Sequence, residues 1–303
     1  MKLPTKPMSP ILVSELPQTD EWGFQLKWDG VRILAQIEHG QAQLFSKRLL
    51  LKNAVFPEIT SMLAKLQGSM LLDGELVVYD NELKRPIFQK ILQRERQKGM
   101  IRKPSDARYQ LIYVPFDLLY WGKEDLRVLP FLMRHERLKQ LFPAPTNQLL
   151  TTDLFLDGTA LWNWVEQYSW EGIVAKRLTS TYHEGKHHHD WLKKKKIMHL
   201  DVQIVGYTLR NKQLASLIME YQGMYCGRVS LGLNVNMKRE LIALLAKRFV
   251  ATGPWMLHQL PRELTKEELV WLAPPFTCTV SGMEWTEGGL LRHPKIVSLQ
   301  IPT

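Results

Sequence analysis

Apolar and polar residues alternate along the first part of the chain in a way that predicts β-strands. Trp22 to Leu26, Val31 to Ala35 and Gln41 to Ser46 each combine apolar or β-branched residues with period-two spacing. The Asp29-Gly30 pair between the first two runs predicts a tight hairpin turn. This arrangement would place Lys27 at the end of a buried strand, with Arg32 across the hairpin.

The pattern then switches between helix and strand up to about residue 200. Helical spacing of apolar residues predicts amphipathic helices near Phe131 to Leu141 and near Ala160 to Tyr168. Tyr109 to Leu119 is a long apolar run that predicts a strong strand, and Gly172 to Lys176 predicts another. These elements indicate an α+β domain spanning residues 1–199.

The pattern changes near His199. Short strands are predicted at Val202 to Tyr207, Leu214 to Tyr221 and Met224 to Leu231, with a helix from Met237 to Phe249 inserted before the next strand. Short strands with one inserted helix are typical of a small five-stranded barrel of the oligonucleotide-binding (OB) kind. We therefore expect a second domain at residues 200–303.

Composition narrows the class of protein. The 303 residues carry a formal net charge of +10, which suits a polyanionic partner and favours nucleic acid over a membrane. The two cysteines, Cys226 and Cys278, lie far apart and offer neither a disulfide framework nor zinc-site spacing. Because no signal-peptide core and no bilayer-length apolar run is present, we expect a cytoplasmic, nucleoid-associated protein.

Several chemically capable residues follow or end predicted strands. Lys27 is a candidate nucleophile, and Glu75 and Glu171 are carboxylates suited to a divalent metal. Phe116 offers a flat ring to a base, and Lys193 and Lys195 alternate along one strand and therefore share a face. Together they form the inventory needed for attack on a nucleoside triphosphate. Each residue taken alone is more often a core aromatic or a solvated charge.

Five motifs in order carry a resemblance to a known family. The motifs are KWDGVR, LLDGELVVYD, VPFDLLYWG, EGIVAKR and WLKKK. The chain resembles the ATP-dependent DNA ligases of the covalent nucleotidyltransferase superfamily, and most of all the bacterial end-joining ligases. The resemblance implies a nucleotidyltransferase (ATP-grasp-like) domain of antiparallel sheets with flanking helices, followed by an OB-fold β-barrel.

The resemblance also implies roles for individual residues. Lys27 would attack the α-phosphate of ATP to give lysyl-AMP, AMP would pass to the 5′-phosphate of a nick, and the 3′-hydroxyl would displace it. The nucleotide would be bound by the following residues: Gln25, Leu26, Lys27, Arg32, Glu75, Phe116, Lys176, Lys193 and Lys195. Glu75 and Glu171 would hold Mg²⁺ or Mn²⁺. The phosphate-binding lysines would also lower the pKa of Lys27 by charge repulsion.

The implied partners are nicked or broken double-stranded DNA and end-joining proteins such as Ku, with the enzyme acting as a monomer. Lys47 or Arg48 would bind the nick 5′-phosphate, because Lys47 takes the place of the family's arginine and Arg48 follows it.

His187 and Gln300 also stand where the family has arginines. Because the second of these arginines orients the pyrophosphate leaving group, we expect impaired self-adenylylation from ATP unless Arg292 or Lys295 compensates.

Two other functions are compatible with this inventory. An RNA ligase or capping enzyme would use the same lysine chemistry on a different substrate. A non-catalytic protein that binds DNA nicks or ends would need the basic surface alone. Replacing nicked DNA by nicked RNA, and testing for a covalent adenylate, would distinguish these two functions from that of a DNA ligase.

Overall fold

The computed structural model describes residues 1–96, 107–185, 188–245, 249–250, 261, 263–282, 284–286 and 288–300. The chain divides into two compact units, Met1–Lys196 and Ile197–Thr303. Arg102 and Lys103, which belong to a basic stretch, and His187 lie outside the described residues.

The described residues of the first unit contain strands β1 to β10 and helices α1 to α4. In chain order these are β1 (Ile11–Leu12), β2 (Trp22–Leu26), β3 (Val31–Glu38), β4 (Gln41–Ser46), α1 (Pro57–Leu63), β5 (Met70–Asp80), β6 (Arg85–Pro86), α2 (Phe88–Arg96), β7 (Tyr109–Trp121), β8 (Glu124–Asp125), α3 (Phe131–Leu141), α4 (Gly158–Gln167), β9 (Gly172–Arg177) and β10 (Trp191–Lys195).

Two sheets form from these strands. One has the order β1-β10-β9-β2, and the other has the order β4-β3-β5-β7-β8 with β6 added to β5. Neighbouring strands are antiparallel, except that β1 runs parallel to β10. The predicted antiparallel sheets with flanking helices are therefore confirmed.

The predicted hairpin at Asp29-Gly30 is wrong. β2 pairs with β9, whereas β3 pairs with β4 and β5, so the segment between β2 and β3 crosses from one sheet to the other. A two-residue hairpin turn needs a positive φ at one or both of its central residues, and neither Asp29 nor Gly30 has one. Gly30 instead passes so close to β5 that a Cβ would lie 2.3 Å from the Leu76 carbonyl oxygen. The crossing places Lys27 at the junction of the two sheets.

The helices begin where local chemistry favours it. The Asp157 side chain accepts hydrogen bonds from the backbone N–H groups of Thr159 and Ala160 at 3.0 and 2.9 Å, which caps α4. α3 follows Pro130 and matches the predicted range, and α4 begins two residues before the predicted one. α3 packs on β7, where Arg134 meets Asp117.

The second unit is mostly strand. Its described elements are β11 (Met198–Arg210), β12 (Gln213–Tyr221), β13 (Met224–Val229), α5 (Val235–Leu245), β14 (Phe249–Val250), β15 (Glu268–Gly282), β16 (Glu284–Trp285), β17 (Leu291–Arg292) and β18 (Lys295–Gln300). Strands run in the order β13-β12-β11-β15-β14, with β18 also on β15.

This sheet and its single described helix enclose a core that includes Ile204, Leu217, Met219 and Phe276. The predicted strands and inserted helix are present: the helix is described from Val235 to Leu245, and Phe249, its predicted last residue, lies in β14 instead. The arrangement is consistent with an OB-type fold. Strand pairing among the described residues does not close the sheet into a barrel.

Candidate active site

Strand register brings the candidate residues of the first sheet to one face. Gln25 on β2 and Lys193 on β10 both lie opposite Val174 of β9. Lys27 follows β2, and its backbone N–H donates to the Gly172 carbonyl at 2.9 Å. Because successive side chains on a strand alternate, Gln25 and Lys27 project from the same face as Lys193 and Lys195.

Lys27 is held by a carboxylate. Its Nζ donates to Glu171 Oε2 at 2.7 Å, and Lys195 Nζ donates to Glu171 Oε1 at 2.8 Å. The Glu171 and Lys195 side chains are only 7% and 2% exposed, whereas that of Lys27 is 21% exposed. Glu171 thus bridges two amines, and Lys27 is the more exposed of the two lysine side chains.

The predicted lowering of the Lys27 pKa is wrong for this arrangement. Burial disfavours the ammonium ion, but the carboxylates of Glu171, Glu75 and Asp29 outweigh burial and raise the pKa of Lys27 above its usual value. From the sequence, lysines were the expected neighbours of Lys27, whereas the folded chain places carboxylates beside it. Lys27 must therefore lose a proton before it can act as a nucleophile.

The carboxylates of the site repel one another. Burial first, and then the neighbouring Glu171, raise the pKa of Glu75 to about 7 against the attraction of Lys27. Burial and Glu171 also raise the pKa of Asp29. Oxygen donors of this kind suit a hard cation.

A divalent ion fits this donor set in the way Mg²⁺ usually binds. Mg²⁺ generally takes one or two carboxylates and completes its shell with water and substrate phosphates. Glu75 and Glu171 supply two, and the described residues contain no cluster of three or more protein ligands. Their assignment as metal ligands stays a prediction.

Arg32 lies on the facing sheet in a network of buried partners. Its guanidinium binds both oxygens of Asp73, at 2.8 and 2.5 Å. The Tyr182 hydroxyl donates to Asp73 at 2.8 Å and accepts from the Met8 backbone N–H at 3.1 Å. Arg32 and Glu75 are opposite each other in the register of β3 and β5, so both face the gap between the sheets.

Phe116 occupies a β-bulge. Asp73 pairs with Asp117 and Gly74 pairs with Pro115, which leaves Phe116 as the extra residue on β7. Bulges are common beside active sites because they redirect a side chain. Two cations lie near the Phe116 ring, with the Arg32 guanidinium carbon 5.4 Å and the Lys176 Nζ 4.7 Å from its centroid.

Lys176 lies beneath Phe116 and away from Lys27. It is opposite Gly23 on β2, its Nζ donates to the Phe116 carbonyl at 3.1 Å, and it is 1% exposed. The rings of Phe131 and Trp191 are also within 4.4 and 4.1 Å of this amine. Burial lowers the pKa of Lys176 to about 7. Its predicted contact with phosphate stays a prediction.

The remaining predicted residues are spread more widely. The Leu26 side chain packs against the core cluster of Trp22 and Ile173, so its backbone is the part nearest the gap. Lys47 and Arg48 are exposed in the turn after β4. Gln300 is in the second unit, where it pairs with Thr277, and the expectation attached to it stays a prediction.

Four residues around the site were not predicted from the sequence. Asp29 and Asp73 lie inside quoted motifs, so their acidic character was a usable signal. Tyr182 and His135 lie outside any motif, and only the fold brings them to Asp73 and to Gln25. A single histidine or tyrosine outside a motif has no feature in the sequence that would mark it as part of the site.

The facing sheets, with a lysine–carboxylate site between them, define the nucleotidyltransferase fold class. The family model described as "ATP dependent DNA ligase domain" matches residues 7–195, and that of the "ATP dependent DNA ligase C terminal region" matches residues 212–301. The chain belongs to the ATP-dependent DNA ligase family.

Individual relatives agree with the family. "Multifunctional non-homologous end joining protein LigD" of Pseudomonas aeruginosa is 31% identical over 293 residues, covering 92% of this chain and 33% of the relative. "Bifunctional non-homologous end joining protein LigD" of Bacillus subtilis is 27% identical, covering 96% and 52%. The chain therefore spans about a third to a half of the length of these relatives.

Solved structures show the same fold. The "mycobacterial DNA ligase D complexed with ATP and MES" is 26% identical with a TM-score of 0.58, covering 98% of this chain and 95% of that one. The ligase domain from Mycobacterium tuberculosis LigD gives a TM-score of 0.56 at 26% identity. Among the described residues, no helix has the length and apolar character needed to span a membrane.

Proposed function

We propose that this chain seals nicks in double-stranded DNA through a lysyl-AMP formed at Lys27. The observation that carries the proposal is the partly exposed Lys27 side chain, whose amine is held 2.7 Å from Glu171 where the two sheets of a ligase-family domain meet. The amine would form a P–N bond to the α-phosphate of ATP as the bond to pyrophosphate breaks. AMP would then pass to the nick 5′-phosphate, and the 3′-hydroxyl would displace it.

The chain's own residues have distinct tasks in this scheme. Glu171 holds the Lys27 amine in place and is the nearest acceptor for its proton. Arg32, fixed by Asp73, faces the gap where phosphate or ribose would lie, and Phe116 offers its ring to the base. A divalent cation held by Glu75 and Glu171 would supply positive charge to the phosphates. Positioning and charge neutralisation are what phosphoryl transfer mainly requires.

The cellular setting is proposed from the relatives. Because both relatives above carry end joining in their names, we propose that the enzyme acts in DNA repair. We also propose that it works as a monomer in the cytoplasm, at the nucleoid. Broken DNA and an end-joining partner such as Ku would be its associates. We further propose that residues 1–199 form the adenylation domain and residues 200–303 the OB-fold domain.

The test uses α-labelled ATP with Mg²⁺ or Mn²⁺, followed by a nicked duplex. We expect a labelled protein band that Lys27→Ala abolishes, and transfer of the label to DNA before sealing. Lys194→Ala is the matched control, because Lys194 points to the opposite face of β10 and lies over Trp162. A labelled band that survives Lys27→Ala would refute the nucleophile.

Two outcomes would favour the other functions. Efficient sealing of nicked RNA with none of nicked DNA would indicate an RNA ligase. Tight binding to a nicked duplex, with no adenylate formed on the protein or accepted back from adenylylated DNA, would indicate a non-catalytic nick-binding protein.

A further inference from the structure

A short segment before β2 is hydrogen-bonded to groups on both sides of the site. The Met8 backbone N–H donates to the Tyr182 hydroxyl at 3.1 Å, and the Val13 backbone N–H donates to the Lys193 carbonyl at 3.0 Å. Residues 8–13 lie outside the five motifs, and the proposed chemistry does not use them. The two contacts lead to different sheets, and each leads to a cation of the site.

The first contact leads to Arg32 on β3. The Tyr182 hydroxyl donates to Asp73 Oδ2 at 2.8 Å, and the same Oδ2 binds the Arg32 guanidinium. The hydroxyl in turn accepts from the Arg32 Nη2 atom at 3.4 Å and from the Met8 N–H. Because both of these partners are donors, the hydroxyl proton points at Asp73. Met8 and Asp73 are 0% exposed and Tyr182 is 6% exposed, so bulk water has little access to these bonds.

The backbone around Met8 sets the direction of its N–H. The Ser9 N–H donates to the Gly185 carbonyl at 2.9 Å, and the Gly185 N–H donates to the Lys6 carbonyl at 3.0 Å. The Met8 Sδ atom accepts from the His183 N–H at 3.2 Å. These contacts anchor the segment on both sides of Met8, so its N–H is a fixed point to which the tyrosine hydroxyl is bound.

The second contact leads to Lys193 on β10. β1 runs parallel to β10, with Leu12 opposite Lys193. Successive carbonyls along a strand point to opposite sides, so the Lys193 carbonyl, which accepts from Val13, points to β1 and away from β9. β1 therefore holds the backbone of the lysine whose side chain shares a face with Lys27.

We propose that residues 8–13 are a positioning element of the active site, which acts through Arg32 and Lys193. Arg32 faces the gap from one sheet and Lys193 from the other, so one nucleotide can meet both only if the two sheets are held in the right relation. Tyr182 transmits the position of the segment to the first cation, and β1 transmits it to the second. Phosphoryl transfer depends on such placement of charge. The inference rests on the proposed lysyl-AMP function and deepens it by adding residues that act on ATP through other side chains.

The test measures the formation of lysyl-AMP from α-labelled ATP at increasing ATP concentration. It yields the KM for ATP, the kcat and the fraction of the protein that becomes labelled. Tyr182→Phe removes the hydroxyl and keeps the ring, and Val13→Pro removes the N–H that donates to the Lys193 carbonyl. We expect each variant to raise the KM for ATP by roughly ten-fold, the effect of losing one positioning hydrogen bond, with a smaller change in kcat.

Two control variants separate positioning from a loss of stability. Leu12→Pro places proline in the same strand, where the N–H points away from β10 and an edge strand tolerates the ring. Ile59→Val removes one methyl group from the buried side of α1 and so lowers stability away from the site. A less stable protein has a smaller labelled fraction at an unchanged KM, which is the result expected of both controls.

The outcomes separate the two proposals. An unchanged KM in Tyr182→Phe, or a KM in Val13→Pro no higher than in Leu12→Pro, would overturn the positioning role. Loss of folding in Val13→Pro but not in Leu12→Pro would also overturn it, because β1 would then support the fold and not the placement of Lys193. Failure of the unaltered protein to form lysyl-AMP, from ATP or from adenylylated DNA, would instead refute the proposed function.

Discussion

Breaking the buried ion pair between Arg134 and Asp117 should show how much this pair contributes to the stability of the folded chain. Arg134 on α3 binds both oxygens of Asp117 at 2.8 and 2.9 Å, and both side chains are 0% exposed. Arg134 also donates to the carbonyls of Leu129 and Ser180. Because Asp117 follows Phe116 directly, the pair anchors the strand that presents the proposed stacking ring.

The magnitude follows from burial. Arg134→Met leaves the Asp117 carboxylate without its charged partner. Asp117→Asn likewise leaves the Arg134 guanidinium without its charged partner. Removing one partner of a fully buried pair costs about 3–5 kcal/mol. The double variant removes both charges, so its cost should be close to that of one single variant and well below the sum of the two.

Urea unfolding of the full chain, followed by tryptophan fluorescence, measures these free energies. The matched control is Arg137, on the same helix, with Glu124 of β8, a pair joined at 2.8 Å whose side chains are 36% and 52% exposed. Arg137→Met and Glu124→Gln should each cost about 0–1 kcal/mol. Buried single variants no worse than this control, or a double variant equal to the sum, would refute the reasoning.

Three further predictions concern the site. Since the pKa of Glu75 is raised to about 7 in the folded protein, folding favours its protonated form. The stability of the metal-free protein should therefore fall as the pH rises from about 4.5 to 7. Glu75→Gln should flatten that part of a series of melting temperatures measured against pH. Tyr182→Phe removes a hydrogen bond to Asp73 and a partner of Met8, so unfolding free energy should fall by about 1–3 kcal/mol and nick sealing should slow, whereas the exposed Tyr168→Phe should change neither. Binding to a nicked duplex should weaken steeply as the salt concentration rises. Replacing Lys47 and Arg48 by alanine should lower the slope of log K against log salt concentration by about one for each phosphate interaction that the substitution removes. An unchanged slope would show that the DNA does not contact these two residues.

The sequence by itself determined the chemical inventory and most of the elements. Alternation of apolar residues predicted β4, in which alternate side chains are buried, whereas a continuous apolar run predicted β7, which is buried on both faces. The helices α3 and α4 were predicted within two residues because their apolar residues recur at a period of 3.6. The motif residues identified the family because their order along the chain is itself the signal.

Pairing between distant segments was decided by the tertiary structure alone. The Asp29-Gly30 pair has the composition of a hairpin turn, yet β2 pairs with β9 and β3 pairs with β5. Which strand lies beside another depends on how side chains pack across both faces. A short local sequence does not specify that packing.

The electrostatics of the site also depended on the fold. From the sequence, Lys27 had cations as its expected neighbours, whereas folding brings Glu171 within 2.7 Å and reverses the direction of its pKa shift. Likewise, nothing near His135 or Tyr182 in sequence points to Gln25 or Asp73. Charge interactions fall off with distance in space, so they are settled only when residues far apart along the chain come together.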